Sequence, residues 1–366
     1  MSKQILPELK IRNKKINVPV IQGGMGIGLS NFNLAGSVAR EGGLGVLSSA
    51  ALDRIVSARK GHKVNSREAA RLDVLDAREI SNGHGAIGMN IMVALVNSYE
   101  DSVLGAMDGG VDAIISGAGL PFSLSEIAKK HPRFEEVALI PIVSSGRAAE
   151  VILKKWEKTN RMPDAFVVEG PLAGGHIGWR DEETAMAPEN RLENLIKEVI
   201  DVCFAWNLDI PIIAAGGIYS HEDILHYLSL GCSGVQMGTR FLATHESGAN
   251  DEYKKMLVDC KESDIELASK PGSPCGMLFR VLKASPFYQE ALAHARVPKC
   301  DKGYLLNKGK CPAKENNETS FCICNGLLAS VALAPTEKNL YTVGQCAVKI
   351  KKIDTVRSLM LELQGA

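Results

Sequence analysis

The chain has 366 residues, 45% of them hydrophobic, and its 42 Lys and Arg balance 42 Asp and Glu for a formal net charge of zero. That length suits one large barrel or two ordinary domains, and the absence of net charge removes the electrostatic case for nucleic acid or a membrane surface as partner, leaving a small molecule as the expected ligand. The longest apolar stretch, Ala86 to Val96, contains Asn90 and falls short of the ~18 residues that suggest a membrane span, and the basic start MSKQILPELKIRNKK leads into no apolar signal core.

A cytoplasmic location is therefore expected, where the nine cysteines, an odd number, read as reduced thiols rather than a disulfide framework. Along the chain, short runs that are apolar on both faces alternate with segments of helical period. The candidate strands are Val18 to Gln22, Leu44 to Leu47, Ala86 to Asn90, Ala113 to Ser116, Leu139 to Val143, Ala165 to Val168, Ile210 to Ala214 and Gly234 to Met237. A strand with water on one face alternates in polarity; these do not, so they read as parallel strands covered by helices. The intervening helices include Phe32 to Glu41, Arg67 to Ile80, Tyr99 to Met107, Ala148 to Thr159, Arg191 to Trp206 and His221 to Leu230. Eight such units predict an α/β fold, a closed (β/α)8 TIM barrel over residues 1–248; the alternative, a doubly wound open sheet, needs an edge and a switch point that are not evident. Residues 249–366 change character and predict a smaller C-terminal helical cap, with a loop-like stretch from Lys299 to Thr319 and an amphipathic final helix, Ile353 to Gln364, packed on the barrel.

Barrel enzymes build their sites from the loops after the strands, and here those loops are rich in glycine. The first strand runs into Gly23, Gly24 and Met25, the third ends on Asn90, and the sixth on Glu169 followed by Gly174-Gly175-His176. The seventh leads to Gly216-Gly217 and the eighth contains Gln236 before Gly238-Thr239. Loops after the last two strands of such barrels commonly hold a phosphate on glycine amides, which Gly216, Gly217, Gly238 and Thr239 can supply; the plainer reading is tight turns. Gly24, Gly26 and Gly28 lack the spacing of a dinucleotide fingerprint, and no acidic residue follows the second strand.

In order, the segments IQGGMGIG, GMNIM, EGPLAGGHIG, IIAAGGI and VQMGTRF resemble those of the nitronate monooxygenase family, formerly the 2-nitropropane dioxygenases, close to the flavin-dependent enoyl-acyl-carrier-protein reductases II. The resemblance spans about residues 15 to 245 and implies FMN as cofactor. By motif, Gly24 and Met25 would lie along the isoalloxazine, Asn90 would hydrogen-bond near it, and Gly175 would approach the flavin or its ribityl chain, with Gly23 and Gly174 also among the cofactor-binding residues. Gly216, Gly217, Gln236, Gly238 and Thr239 would line the phosphate end. His176 is the expected catalytic residue, a proton acceptor or donor beside the reacting substrate. Glu169 could hold an amide, orient His176, bind a monovalent cation, or be purely structural. The loop Ile177 to Asn190, with Trp179, is long enough for a lid.

Oxidation of alkyl nitronates with O2 is the leading expectation. The alternative is an NAD(P)H-dependent enoyl-thioester reductase, for which Lys299, Lys302, Lys308 and Lys310 could meet an acidic acyl-carrier protein; a non-catalytic flavin-binding sensor is a third. A homo-oligomer is expected. Cys300, Cys311, Cys322 and Cys324 match no metal-binding spacing, so no metal is expected.

Overall fold

The computed structural model describes residues 6–295, 304–305 and 310–366. Two short strands that no sequence pattern announced, β1 (Leu9–Ile11) and β2 (Lys14–Ile16), form an antiparallel hairpin ahead of the barrel. The barrel follows as β3 (Val20–Gln22), β4 (Leu44–Ser48), β5 (Ala86–Met92), β6 (Ala113–Gly117), β7 (Ala138–Val143) and β8 (Phe166–Glu169). A two-residue strand, β9 (Gly175–His176), intervenes before β10 (Ile212–Ala215) and β11 (Gly234–Met237). Beyond them come β12 (Ile265–Ala268) and β13 (Phe279–Leu282).

Strands β3 to β8, β10 and β11 pair in parallel and close on themselves through β11 and β3, with Val235 opposite Val20. Closure rules out the open sheet. Each of the eight candidate strands is present with its ends displaced by at most two residues. They are apolar on both faces because both faces are buried. Ile21, Leu44, Val46, Ile115, Ile140, Val167 and Ile213 pack inside the barrel, and Leu9, Ile11 and Ile16 of the hairpin join that cluster. The alternate residues, such as Val20, Leu47, Ile87, Ile114 and Val168, pack outward against the helices.

The helices sit where the helical period placed them, with further ones at Leu52–Lys60, Leu124–Ala128, Glu182–Met186 and Thr239–Leu242. Their starts are chemically marked: Asn31 and Asn65 accept the Leu34 and Glu68 amides, each at 2.9 Å, satisfying first-turn N–H groups. The helix Phe32–Arg40 lies so close to β4 that a Cβ on Gly45 would stand 1.8 Å from the Ala35 carbonyl oxygen. The last helix, Val356–Leu363, packs against the barrel: Leu359 and Leu363 enter the outer core, and Glu362 pairs with the buried Arg240 at 2.5 Å. Among the described residues no helix is long and apolar enough to cross a membrane.

Between residues 250 and 340, short helices (Asp251–Val258, Pro286–Leu292, Pro312–Glu315, Ile323–Ala329) accompany an element the sequence reading lacked. It is an antiparallel sheet in the order β12-β13-β9, whose third strand is the loop segment carrying His176.

The buried apolar face of the hairpin, Leu9, Ile11 and Ile16, predicts a direct cost when it is trimmed. Ile11→Ala should lower the unfolding free energy by about 2–5 kcal/mol, the usual cost of such a truncation, in urea denaturation followed by circular dichroism.

Candidate active site

The floor of the site is set by a buried amide. Gln22, at the end of β3, donates from Nε2 to the Gly23 carbonyl at 2.5 Å and to Ser30 Oγ at 2.8 Å, and its Oε1 accepts the Val46 amide at 3.1 Å. Ser30 Oγ in turn accepts the Met25 amide at 2.8 Å, so residues 23–25 form a fixed ledge. The ledge has to be bare: a Cβ on Gly24 would lie 2.2 Å from Asn90 Cβ, and one on Gly23 3.2 Å from Gln236 Cγ. Gln236 is buried and its Oε1 has no hydrogen-bond partner, an expensive arrangement in a protein that offers nothing to bind there.

The opposite end is built from three loops and a strap. Gly216 and Gly217 both have positive φ, +104° and +81°, which a side chain would strain, and a Cβ on Gly216 would approach the Gly170 carbonyl oxygen to 3.0 Å. Beside them, after β11, lie Gly238 and Thr239. The strap 342–346 crosses this end: the Gly344 amide donates to Thr239 Oγ1 at 2.8 Å, and the Gln345 amide to the Leu172 carbonyl at 3.0 Å. Arg280, buried on β13, donates to the carbonyls of Pro171 at 2.7 Å and Ala173 at 2.5 Å. Burial lowers its pKa to about 10, so it remains cationic at neutral pH.

Together these parts enclose a cavity of about 640 Å³, within the range of small-molecule and cofactor sites. All thirteen residues singled out in the sequence line it: Gly23, Gly24, Met25, Asn90, Glu169, Gly174, Gly175, His176, Gly216, Gly217, Gln236, Gly238 and Thr239. The loop after His176 also contributes, through Ile177, Trp179, Thr184 and Asn190; Ile177 and Trp179 are buried, and the Trp179 carbonyl accepts the Leu278 amide at 2.9 Å. Sequence reasoning missed Met277, Phe279, Ile323, Leu327, Thr342, Gly344 and Cys346 in the wall. They come from the C-terminal part, where no motif pointed at a ligand.

Glu169 and His176 both face the cavity, and burial drives both toward their neutral forms. The Glu169 carboxyl is raised to about 7, and its side chain makes no hydrogen bond among the described residues. The His176 imidazole is lowered to about 4, with no charged group contributing. Its ring lies 4.6 Å from that of Phe279, the residue opposite it on β13, and its Nε2 is 2.5 Å from Ser273 Oγ.

Of the expected cysteine group, Cys311 and Cys322 are buried, Cys324 reaches the cavity wall, and Cys300 lies outside the described residues. Among the described residues no three or more His, Cys, Asp or Glu are arranged to hold a metal ion. Of the four lysines, Lys299, Lys302 and Lys308 lie outside the described residues, and Lys310 pairs with Glu315 at 3.2 Å.

A family model described as nitronate monooxygenase matches residues 8–365. A probable nitronate monooxygenase of Staphylococcus aureus strain MSSA476 is 26% identical over 279 residues, covering 68% of this chain and 71% of the relative. Its counterpart in strain N315 is 27% identical over 283 residues, with the same coverage of 68% and 71%. Among solved structures, FabK from Thermotoga maritima aligns with a TM-score of 0.68 at 24% identity, over 96% of this chain and 92% of that one. Nitroalkane oxidase from Streptomyces ansochromogenes gives 0.67 at 19% identity, over 96% and 95%. At those identities the structural likeness speaks for the fold alone. The match across nearly the whole chain carries more: this chain belongs to the nitronate monooxygenase family and is an oxidoreductase.

Proposed function

We propose that this enzyme holds FMN in the cavity and oxidises alkyl nitronates with O2. The observation that carries the reading is the uncharged His176 imidazole in the wall of a cavity whose floor is bare glycine and whose far end is ringed by backbone amides. The family membership and the curated relatives support it. The residues also fit the cofactor. A ledge without Cβ atoms suits a flat ring; Gln236, expected from the motif at the phosphate end, instead lies against Gly23 of the ledge, where its unpartnered Oε1 suits an N–H on that ring's polar edge; and the amides of Gly216, Gly217 and Gly238 with the Thr239 hydroxyl suit a phosphate. Bound there, FMN would supply a two-electron acceptor that O2 can reoxidise.

The chain's own part is positioning and proton handling. Gly23, Gly24, Met25 and Asn90 would lie along the ring, and Gly174 and Gly175 would let the backbone approach the ribityl chain. His176, deprotonated at neutral pH, would take the proton from the carbon beside a nitro group or hold the nitronate in place. Glu169, titrating near neutrality, is a second proton carrier in the same wall.

A second reading, NAD(P)H-dependent reduction of enoyl thioesters, is favoured by one specific feature. Ile27, Leu95, Phe279, Ile323 and Leu327 line the cavity and pack in one apolar cluster, a wall suited to an acyl chain. Membership of an enzyme family leaves the non-catalytic sensor without support.

Anaerobic titration of the purified enzyme separates the readings: the flavin band should bleach with an alkyl nitronate and ignore NADH and NADPH. Bleaching by a nicotinamide nucleotide alone would instead select enoyl reduction, and a colourless protein that takes up no FMN would sink both. His176→Ala should keep the flavin spectrum and lose about 10²–10⁴-fold in kcat/KM on a nitroalkane. Because the imidazole is lowered to about 4, its acid limb should appear as pH falls through about 4, far below the ordinary histidine value. A further limb near pH 7 that vanishes in Glu169→Gln would belong to Glu169. Gly24→Ala, which must displace Asn90, should weaken FMN retention by roughly tenfold or more, read by equilibrium dialysis; the threshold corresponds to ~1.4 kcal/mol.

A further inference from the structure

Opposite the end ringed by backbone amides, the cavity has a wall of hydrocarbon. Ile27, Leu95, Phe279, Ile323 and Leu327 pack in one cluster and line the cavity, each no more than 9% exposed. Ile323 and Leu327 stand four positions apart on the helix Ile323–Ala329, so they share one face at a spacing of roughly 5–6 Å. That helix is pressed into place from behind: a Cβ on Gly326 would lie 2.7 Å from Phe287 Cγ. Phe279 ties the wall to the reacting end of the site. Its ring lies 4.6 Å from that of His176 and 6.4 Å from that of Phe321, a member of the same cluster. A group handled at His176 therefore has a fixed apolar surface leading away from it, long enough for several methylenes.

Nothing on that surface answers a charge. No Lys or Arg lines the cavity among the described residues, and the buried cation behind it, Arg280, is committed to the carbonyls of Pro171 and Ala173. Tyr304 reaches the same wall with its hydroxyl turned to Asp53 Oδ1 at 3.4 Å and Arg54 beside it, and neither of those charged groups lines the cavity. The carboxyl that does line it, Glu169, would repel a second one. A methylene laid on this wall leaves water at a gain, whereas a carboxylate loses its hydration and finds no partner.

We infer that the wall of Phe279, Ile323 and Leu327 receives an unbranched, uncharged chain of the substrate, so that the enzyme selects nitro compounds with an alkyl chain of several carbons and rejects those that carry a carboxylate. The inference rests on the proposed nitronate chemistry for the group that sits at His176; an enoyl thioester would lay the same kind of chain on the same wall. Contacts along the chain are made equally before and during the reaction, so they act on KM and leave kcat steady.

The test is a chain-length series on the holoenzyme. From nitroethane to 1-nitrohexane, KM should fall about fourfold per methylene until the wall is covered, with kcat nearly constant. 3-Nitropropionate should fall about 10²-fold or more below 1-nitrobutane in kcat/KM. Leu327→Phe should make KM level off at a shorter chain and Leu327→Ala at a longer one, in variants that keep the wild-type circular dichroism and flavin spectrum. A parallel series of trans-2-enoyl thioesters with NADH or NADPH identifies the source of the chain: a length dependence confined to the thioesters keeps the wall's role and moves the chemistry to enoyl reduction. Calorimetric titration of the wild type with 1-butanol, 1-hexanol and 1-octanol reads the wall without turnover, and Kd should again fall about fourfold per methylene. If neither nitro compounds nor thioesters are turned over, the functional reading fails and the alcohols still judge the wall. A KM indifferent to chain length in both series, 3-nitropropionate matching 1-nitrobutane, or 1-octanol binding no tighter than 1-butanol overturns the inference.

Discussion

The loop Pro171 to Gly175 and the strap Val343 to Gln345 touch so closely that a Cβ on Gly174 would lie 2.6 Å from the Gly344 amide nitrogen, and the geometry of the site depends on that contact. Neither segment belongs to a barrel strand. They are held instead by amides on carbonyls and by the Arg280 guanidinium, whose two donations to Pro171 and Ala173 use a buried cation to staple a loop that has no side-chain anchors of its own. From this staple the chain runs directly into β9, so the position of the His176 ring follows from the position of Arg280 one strand away.

The same contact joins the two halves of the chain. The barrel alone supplies the glycine ledge, Asn90, Gln236 and the amide-lined end. The residues after 250 supply the sheet that β9 completes, the strap, and the apolar wall of Phe279, Ile323 and Leu327. A cavity built this way has a floor and an anion end fixed by barrel geometry and a roof that can vary independently. That division is why the fold leaves nitronate oxidation and enoyl reduction to be separated by experiment.

What the sequence revealed follows the same line. The barrel strands were legible because burial on both faces leaves uninterrupted apolar runs, as in Ile212–Ala215, and the strand-end loops because glycine where a Cβ cannot fit is a local signature. The hairpin Leu9–Ile16 was not, since three-residue strands among Lys and Arg carry no period. Nor was the sheet containing His176: β9 has two residues, and its partner Phe279 lies about a hundred positions away, so only tertiary packing defines it. Ser273 was invisible for the same reason. A serine ahead of a proline reads as a turn, and nothing local says that the turn ends against an imidazole.

The neutral walls of the cavity bear on how charge would enter it. No Lys or Arg lines it among the described residues, and burial pushes Glu169 and His176 toward their uncharged forms. An anion arriving alone would have to be met by backbone amides and hydroxyls, at a desolvation cost that nothing cationic repays. On the route in which His176 takes the proton from the carbon beside the nitro group, a neutral nitroalkane enters instead of a nitronate and avoids that cost. Its proton passes to the neutral imidazole of His176, and the nitronate and the imidazolium appear together, as a pair, where their attraction is screened least. The same burial that makes His176 a weak base in the resting enzyme raises its basicity once an anion forms beside it, because each charge stabilises the other. A depressed imidazole pKa is therefore compatible with proton abstraction here: the value belongs to the cavity before charge separation, and the reaction creates the partner that changes it.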